Sequence, residues 1–243
     1  MIHFEPLASS SAGCAYRVSC GSHSILLDAG MTIKSLQIAL GFRISALSGC
    51  LLSHAHGDHS RAIYALMEKG LDVYAHEGTW SSIASTKQVS QVRKKVVTAD
   101  QRFSVGAWTV SAFEAVHDCP GTLGFVIDSP EGDRLLYLTD SVYSKVTFPG
   151  LTHLAVECNH SIEIVRRNVD LGFLDKERAT RTLQTHMSIE RLEDLLRAND
   201  LSRVESIWLL HLSNGNSNEA EFKNRIVKLT GVPVHVAAER GNS

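Results

Sequence analysis

The chain has 243 residues, with 24 Lys plus Arg against 26 Asp plus Glu, and is 44% hydrophobic and 21% charged. That balance belongs to an ordinary folded protein and excludes a disordered or fibrous chain. The near-neutral charge excludes a globally basic nucleic-acid binder, although not a local basic face. The 12 histidines stand out. A structural core has little use for so many imidazoles, whereas metal sites use them routinely.

Cys14, Cys20, Cys50, Cys119 and Cys158 form an odd set with no CxxC motif. This fits a reduced, intracellular protein better than a disulfide framework. The start of the chain lacks the basic and apolar regions of a signal peptide. No apolar run approaches the roughly 20 residues that span a bilayer. The expectation is a cytoplasmic protein without membrane contact. No Pro/Gly/Ser-rich linker divides the sequence, so residues 1–243 read as a single domain.

In chain order, Ala15 to Cys20 and Ser24 to Asp28 flank the short turn Gly21-Ser22-His23 and predict a hairpin. Leu47 to Ser53 reads as a strand running into His54. Ser60 to Lys69 carries Ala62, Ile63, Leu66 and Met67 at helical spacing, and Gly70 stops it. Val73 to Ala75 reads as a strand and Glu77 to Ala84 as a helix. Trp108, Val110 and Ala112 alternate with polar residues along another strand. Leu123 to Asp128 and Arg134 to Thr139 are strands joined by the turn Ser129-Pro130-Glu131-Gly132-Asp133. Leu151 to Glu157 is a further apolar strand. The second half turns helical at Asp175 to Thr185 and Ser188 to Arg197. A buried strand at Ile207 to Leu212, a helix at Asn218 to Leu229 and a short strand at Val234 to Val236 complete the chain. Strands and helices mixed in both halves predict an α/β fold, with two packed sheets and helices outside.

The strongest signal is His54-Ala55-His56-Gly57-Asp58-His59. On an extended segment, residues two apart point the same way, so His54 and His56 can grip one ion. Gly57 lets the backbone turn sharply. Asp58 and His59 then project from the start of the following helix toward a second ion. Chance would place HxHxDH in a chain of this length with odds on the order of one in 700.

This motif resembles that of the metallo-β-lactamase superfamily. The further ligands expected of that family occur in order, each at a predicted strand end: His117, Asp140 and His211. The resemblance implies an αββα sandwich, two packed mixed sheets with helices on both outer faces. It implies one metal held by His54, His56 and His117, a second held by Asp58, His59 and His211, and Asp140 bridging them. Such a pair, roughly 3.5–4 Å apart, lowers the pKa of a bridging water and supplies hydroxide at neutral pH. His and Asp ligands suit zinc, manganese or iron, and ligand type alone does not choose among them. Zinc is the first expectation.

Ile25-Leu26-Leu27-Asp28-Ala29-Gly30 resembles the strand and Asp-x-Gly segment of the same family, whose Asp supports a metal ligand from behind. A strand-terminating Asx turn accounts for it equally well. Ser9-Ser10-Ser11-Ala12-Gly13 before a strand, with Leu123-Gly124-Phe125 after His117, is similar to the YycJ/WalJ-like branch, which is associated with DNA exonuclease activity. Cys14 departs from that branch, which usually has Asn there.

His186, in Thr185-His186-Met187-Ser188, resembles the extra His segment of the RNase Z-like and YycJ-like phosphodiesterases. Diester cleavage expels an alkoxide, a poor leaving group, so a general acid helps. Ser188 is placed to cap the next helix, with Arg191 at its third position. Glu157 resembles an acidic position of the same enzymes and is a candidate to orient His186 and raise its pKa. The expected catalytic residues are Asp58, His186 and Glu157. Two basic runs could line a substrate groove: Arg93-Lys94-Lys95, and Arg166-Arg167 through Lys176, Arg178 and Arg181. Such runs are usually solvated faces, but the second leads into His186 and its bases could hold phosphates.

The reading is a dinuclear metal-dependent hydrolase, a phosphodiesterase or nuclease acting on nucleic acid or a nucleotide. The alternative is a hydrolase of a small carboxylic ester, thioester or lactone, which would not need His186. The resemblance favours a homodimer. His76 reads as a loop histidine, and His160 has no assigned role.

Overall fold

Apolar residues, alternating in strands such as 108–114 and near-continuous in strands such as 153–157, drive the chain into thirteen strands among the described residues, 1–83 and 91–237 of a computed structural model. Two compact units form: Met1–Glu114 with Cys119–Asp133, and Ala115–Asp118 with Arg134–Ala237.

In the first unit, β1 (His3–Ser10), β2 (Gly13–Cys20) and β3 (His23–Leu27) make an antiparallel meander. Strands β4 (Cys50–Leu51), β5 (Val73–Ala75) and β6 (Lys94–Val96) extend it in parallel, giving a mixed six-stranded sheet. Helices α1 (Ile33–Ala39), α2 (Gly57–Ser60), α3 (Ile63–Glu68) and α4 (Glu77–Ser82) form the crossovers. Leu36 from α1, Ile63 and Leu66 from α3 and Trp80 from α4 pack with Leu26, Leu52 and Val73 in one buried cluster. Each such side chain contributes about 1.5–3 kcal/mol by leaving water. The unit also holds an antiparallel trio, β7 (Arg102–Val105), β8 (Trp108–Glu114) and β9 (Leu123–Asp128).

The second unit is built on four parallel strands: β10 (Arg134–Leu138), β11 (His153–Glu157), β12 (Ser206–Leu210) and β13 (Val234–Val236). Its helices are α5 (Ile162–Asp170), α6 (Lys176–Thr185), α7 (Ile189–Ala198) and α8 (Glu219–Thr230). Asp175, Ser188 and Asn218 cap α6, α7 and α8 by accepting from the backbone N–H three residues on. Each cap satisfies a donor that the first turn leaves without a helical partner.

The register fixes where the polar residues emerge. Leu27 pairs with Leu51, so Asp28 and the Leu52–His54 segment leave the sheet side by side. In the second unit Leu138 pairs with Val156 and Glu157 with Leu210, so Asp140, Glu157 and His211 gather at the carboxyl ends of adjacent parallel strands. Parallel sheets bind ligands at that edge.

Several expectations need correction. The strand expected over Leu47 to Ser53 is ladder-paired only at Cys50–Leu51. The helix expected over Ser60 to Lys69 is two short helices, because the Ala62 N–H bonds to the Ala29 carbonyl instead of continuing α2. Gly57 is not a sharp turn. It opens α2 outside the left-handed region, and a Cβ there would meet nothing within 4 Å. The glycine that matters is Gly30, whose Cβ would lie 1.5 Å from the Asp58 carbonyl oxygen. The helix at Glu77 ends at Ser82, and the expected terminus Ala84 lies outside the described residues. Among the described residues, no helix is long and apolar enough to cross a membrane.

Candidate active site

In the first unit, a single buried carboxylate organises the HxHxDH segment. Asp28 is fully buried. Its Oδ1 accepts from the Ser53 N–H at 2.7 Å, and its Oδ2 accepts from the Ser53 hydroxyl at 2.9 Å and from His59 Nδ1 at 2.8 Å. Ser53 gives its only hydroxyl proton to Asp28, so at its 3.0 Å contact with His54 it must accept, and His54 Nδ1 donates. Both His54 and His59 therefore carry their proton on Nδ1, leaving Nε2 as the acceptor of each ring. The two rings lie 4.3 Å apart between centroids. His56 Nδ1 is 3.0 Å from His54 Nε2. Asp58 Oδ2 sits 3.8 Å from His59 Nε2. Thus His54, His56, Asp58 and His59 converge within this unit.

In the second unit, His117, Asp140, Glu157, His186 and His211 converge. Asp140, Glu157, His186 and His211 each offer a ligand atom within 4.8 Å of the others. His117 donates from Nδ1 to the Thr185 carbonyl at 2.9 Å, and its Nε2 lies 3.1 Å from Asp118 Oδ1 and 3.8 Å from Asp140 Oδ2. His211 Nδ1 lies 2.9 Å from Asp140 Oδ1 and 3.3 Å from Glu157 Oε1. Such buried imidazole and carboxylate donors are chemically suited to a divalent transition metal.

Glu157 is fully buried. Its Oε2 accepts from the backbone N–H of Ser141 at 3.1 Å and of Met187 at 3.0 Å, while its Oε1 accepts from His186 Nδ1 at 2.6 Å. Burial disfavours the charge, but the His186 imidazolium and its hydrogen bond hold the Glu157 carboxyl below the usual value, against repulsion from Asp140. Burial likewise disfavours the His186 cation, yet Glu157, with a further contribution from Asp140, raises its pKa above the ordinary histidine value. His186 is C-terminal to α6 in extended conformation, and its ring centroid is 5.4 Å from that of His117 and 5.5 Å from that of His211. Its ring stands among the candidate ligands, with Nδ1 held on Glu157.

Two further histidines stand apart from these clusters. His76 caps α4, its Nδ1 accepting from the Gly78 N–H at 3.0 Å. His160 is buried, and burial pushes its pKa down to about 4, so it stays neutral. The basic run Arg93-Lys94-Lys95 is engaged within its own unit: Arg93 and Lys95 pair with Asp72, and Lys94 with Glu77. Of the second run, Arg181 pairs with Asp118 at 3.0 Å, beside His117.

Sequence reasoning passed over Ser53 and the Thr185 carbonyl. Ser53 precedes the motif directly, and a hydroxyl between a strand-end Asp and a ligand His is a readable signal. The carbonyl carries none, because any residue would supply it.

Residues 23–212 match the family described as the β-lactamase superfamily domain. The chain belongs to this family. Among curated proteins it is similar to exodeoxyribonuclease WalJ of Streptococcus pneumoniae serotype 2 (strain D39 / NCTC 7466), 28% identical over 227 residues, spanning 88% of this chain and 82% of that protein. It is also similar to exodeoxyribonuclease YycJ of Bacillus anthracis, 27% identical over 174 residues, spanning 68% of this chain and 66% of that protein. Among solved structures, the metallo-β-lactamase fold protein YhfI from Bacillus subtilis superimposes with a TM-score of 0.72 at 16% identity, over 98% of this chain and 97% of that one. The fold is the metallo-β-lactamase fold, as the resemblance in the sequence implied.

Proposed function

We propose that this chain is a dinuclear metal-dependent phosphodiesterase acting on nucleic acid, with its length working as one catalytic domain. The observation that carries the reading is the Glu157–His186 pair, a buried carboxylate holding a partly exposed imidazole ring 2.6 Å away. A thioester hydrolase has less need of such an acid, because a thiolate departs more readily than an alkoxide. The curated relatives, both named exodeoxyribonucleases, support the same class.

His54, His56 and His117 are assigned to one divalent ion, Asp58, His59 and His211 to the other, with Asp140 shared. Zinc is the first candidate. The donor chemistry fits: three ligand rings hold their proton on Nδ1 against fixed acceptors. Two nitrogens on one tetrahedral zinc lie about 3.3 Å apart, given Zn–N bonds of about 2.0–2.1 Å. The 3.0 Å between His54 Nε2 and His56 Nδ1 is close to that spacing. When bound, such ions supply hydroxide at neutral pH and offset the phosphate charge.

The chain's own residues do the rest. His186 gives its Nε2 proton to the departing oxygen. Glu157 fixes the ring through Nδ1 and, by its charge, restores the proton from solvent for the next turnover. Asp28 and Ser53 hold His54 and His59 in the tautomer that presents Nε2.

The test is a substrate panel on metal-loaded full-length protein. Turnover is expected on oligonucleotides and on bis(p-nitrophenyl) phosphate, with about two ions per chain. A lactone or thioester consumed faster than any diester would overturn the assignment, as would a single ion after full reconstitution.

A further inference from the structure

The second unit carries a groove of about 380 Å³ between residues 143–147 and α7. Its walls include Tyr143, Lys145, Val146, Arg191, Asp194 and Leu195. Tyr143 is 44% exposed and Val146 49% exposed. An aromatic ring left half in water beside an open groove offers a stacking face.

The segment that bears it is fixed at both ends. At its start the Ser141 N–H bonds to Glu157 Oε2, and the Ser141 hydroxyl donates to the Tyr143 carbonyl at 3.0 Å. At its end the Phe148 N–H bonds to the Asn199 side chain at 2.6 Å. Ser144 adds two bonds within the turn. Tyr143 is therefore presented three residues beyond Asp140 on a backbone tied to the same carboxylate that orients His186.

The charges around the groove favour an anion. Lys145 and Arg191 bring two positive charges to the lining and Asp194 one negative charge, a net cationic wall; Arg191 Nη1 is steadied by the Leu183 carbonyl at 3.2 Å. One aromatic face with two cations is the chemistry that single-stranded nucleic acid selects: the base stacks and the flanking phosphates find the cations. A duplex, whose base faces are already stacked, gains nothing from such a ring.

We infer that this groove seats a nucleotide of a single-stranded substrate adjoining the phosphodiester to be cut, its base stacked on Tyr143. The inference rests on the phosphodiesterase reading and names its substrate class. Tyr143 is a positioning residue for the strand and takes no part in bond cleavage.

The experiment measures binding of a fluorescein-labelled, phosphorothioate-linked dT 12-mer by anisotropy, and turnover of bis(p-nitrophenyl) phosphate in parallel. Tyr143→Ala should weaken oligonucleotide binding roughly 5–150-fold, the range for one lost base–aromatic stack. Tyr143→Phe should restore it to within about twofold, because the ring is kept. Both variants should hydrolyse the small diester at the unaltered rate. Arg191→Gln should lower the salt dependence of binding by about one counterion. Unchanged affinity in Tyr143→Ala would overturn the inference, as would an equal loss on a 12-base-pair duplex. If no diester is hydrolysed by the unaltered protein, the phosphodiesterase reading fails, while the anisotropy series still decides the role of Tyr143.

Discussion

Asp28→Asn is the most informative single change, because one proton relay ties it to two candidate ligands. The carboxylate accepts from His59 Nδ1 directly and reaches His54 through the Ser53 hydroxyl. An amide at the Oδ2 position is a donor. It would face His59 Nδ1, forcing the proton of that ring onto Nε2. It would also donate to Ser53, which would then turn its own proton toward His54 Nδ1 and flip that ring too. Both rings lose the lone pair that a metal needs. An outer partner of a metal ligand is worth roughly 10–100-fold in affinity. Asp28→Asn should therefore weaken divalent-ion binding roughly 10²–10⁴-fold, and Ser53→Ala, which breaks only the His54 arm, roughly 10–100-fold. The backbone does not confound the test. Asp28 has φ +56°, a region Asn enters as readily as Asp. Folding should suffer about 1–3 kcal/mol from the mismatched donors. Chelator competition measures the affinity and thermal unfolding of the metal-free protein measures the fold. Wild-type affinity in Asp28→Asn would refute the relay.

His186→Ala should keep both ions and lose roughly 10²–10⁴ in rate on a nucleotide diester, but much less on a p-nitrophenyl ester whose leaving group departs without a proton; equal losses on the two would eliminate the general-acid role. The raised pKa of His186 means that the stabilisation from its charged pair with Glu157 is complete below the unfolded value of about 6.5 and fades as pH rises through the higher folded value. Urea unfolding should show that decline, and His186→Ala should flatten it; an unchanged slope would count against the pair. Glu157→Gln should move the alkaline limb of kcat to lower pH, read from the rate profile. Gly30→Ala, whose methyl would lie 1.5 Å from the Asp58 carbonyl oxygen and 2.8 Å from the Cys14 nitrogen, should cost about 3 kcal/mol or more and impair ion binding together; a wild-type melting temperature would show that α2 moves aside freely.

The parts of this structure legible in the sequence are those where short-range patterning and fold agree. The hairpin around Gly21-Ser22, the turn at Ser129–Asp133 and the caps Asp175, Ser188 and Asn218 all carry turn or cap chemistry, and they lie where expected. Helix α5 was not foreseen, since its Ile162–Asp170 stretch mixes charges among few apolar residues and is held by Val165 packing against Leu174 and Ala179. Strand β6 was hidden by its lysines, which read as a basic run but sit on a sheet edge paired with Asp72 and Glu77. The division of α2 from α3 depended on a contact from Ala29, remote in sequence, which no helical periodicity encodes.

Backbone conformation marks the site independently of the motif. Five non-glycine residues among those described have positive φ, and three of them are Asp28, Asp140 and His211. Each follows a strand directly or by one residue. A left-handed residue there costs roughly 1–2 kcal/mol, and somewhat less for Asp. The return is direction. A residue that continued the strand would aim its side chain above or below the sheet, alternating with its neighbours. Turning left-handed at the strand end swings the side chain past the carboxyl edge instead. The surroundings hold each strained residue in place. Asp28 is pinned by its N–H to the Leu51 carbonyl and by three bonds to its carboxylate. The His211 carbonyl is held by the Asn159 amide at 2.9 Å, and Asp140 by the Thr139 hydroxyl at 2.9 Å. The strain therefore falls on residues whose side chains must leave the sheet edge at a set angle, and the fold spends its hydrogen bonds on keeping them there.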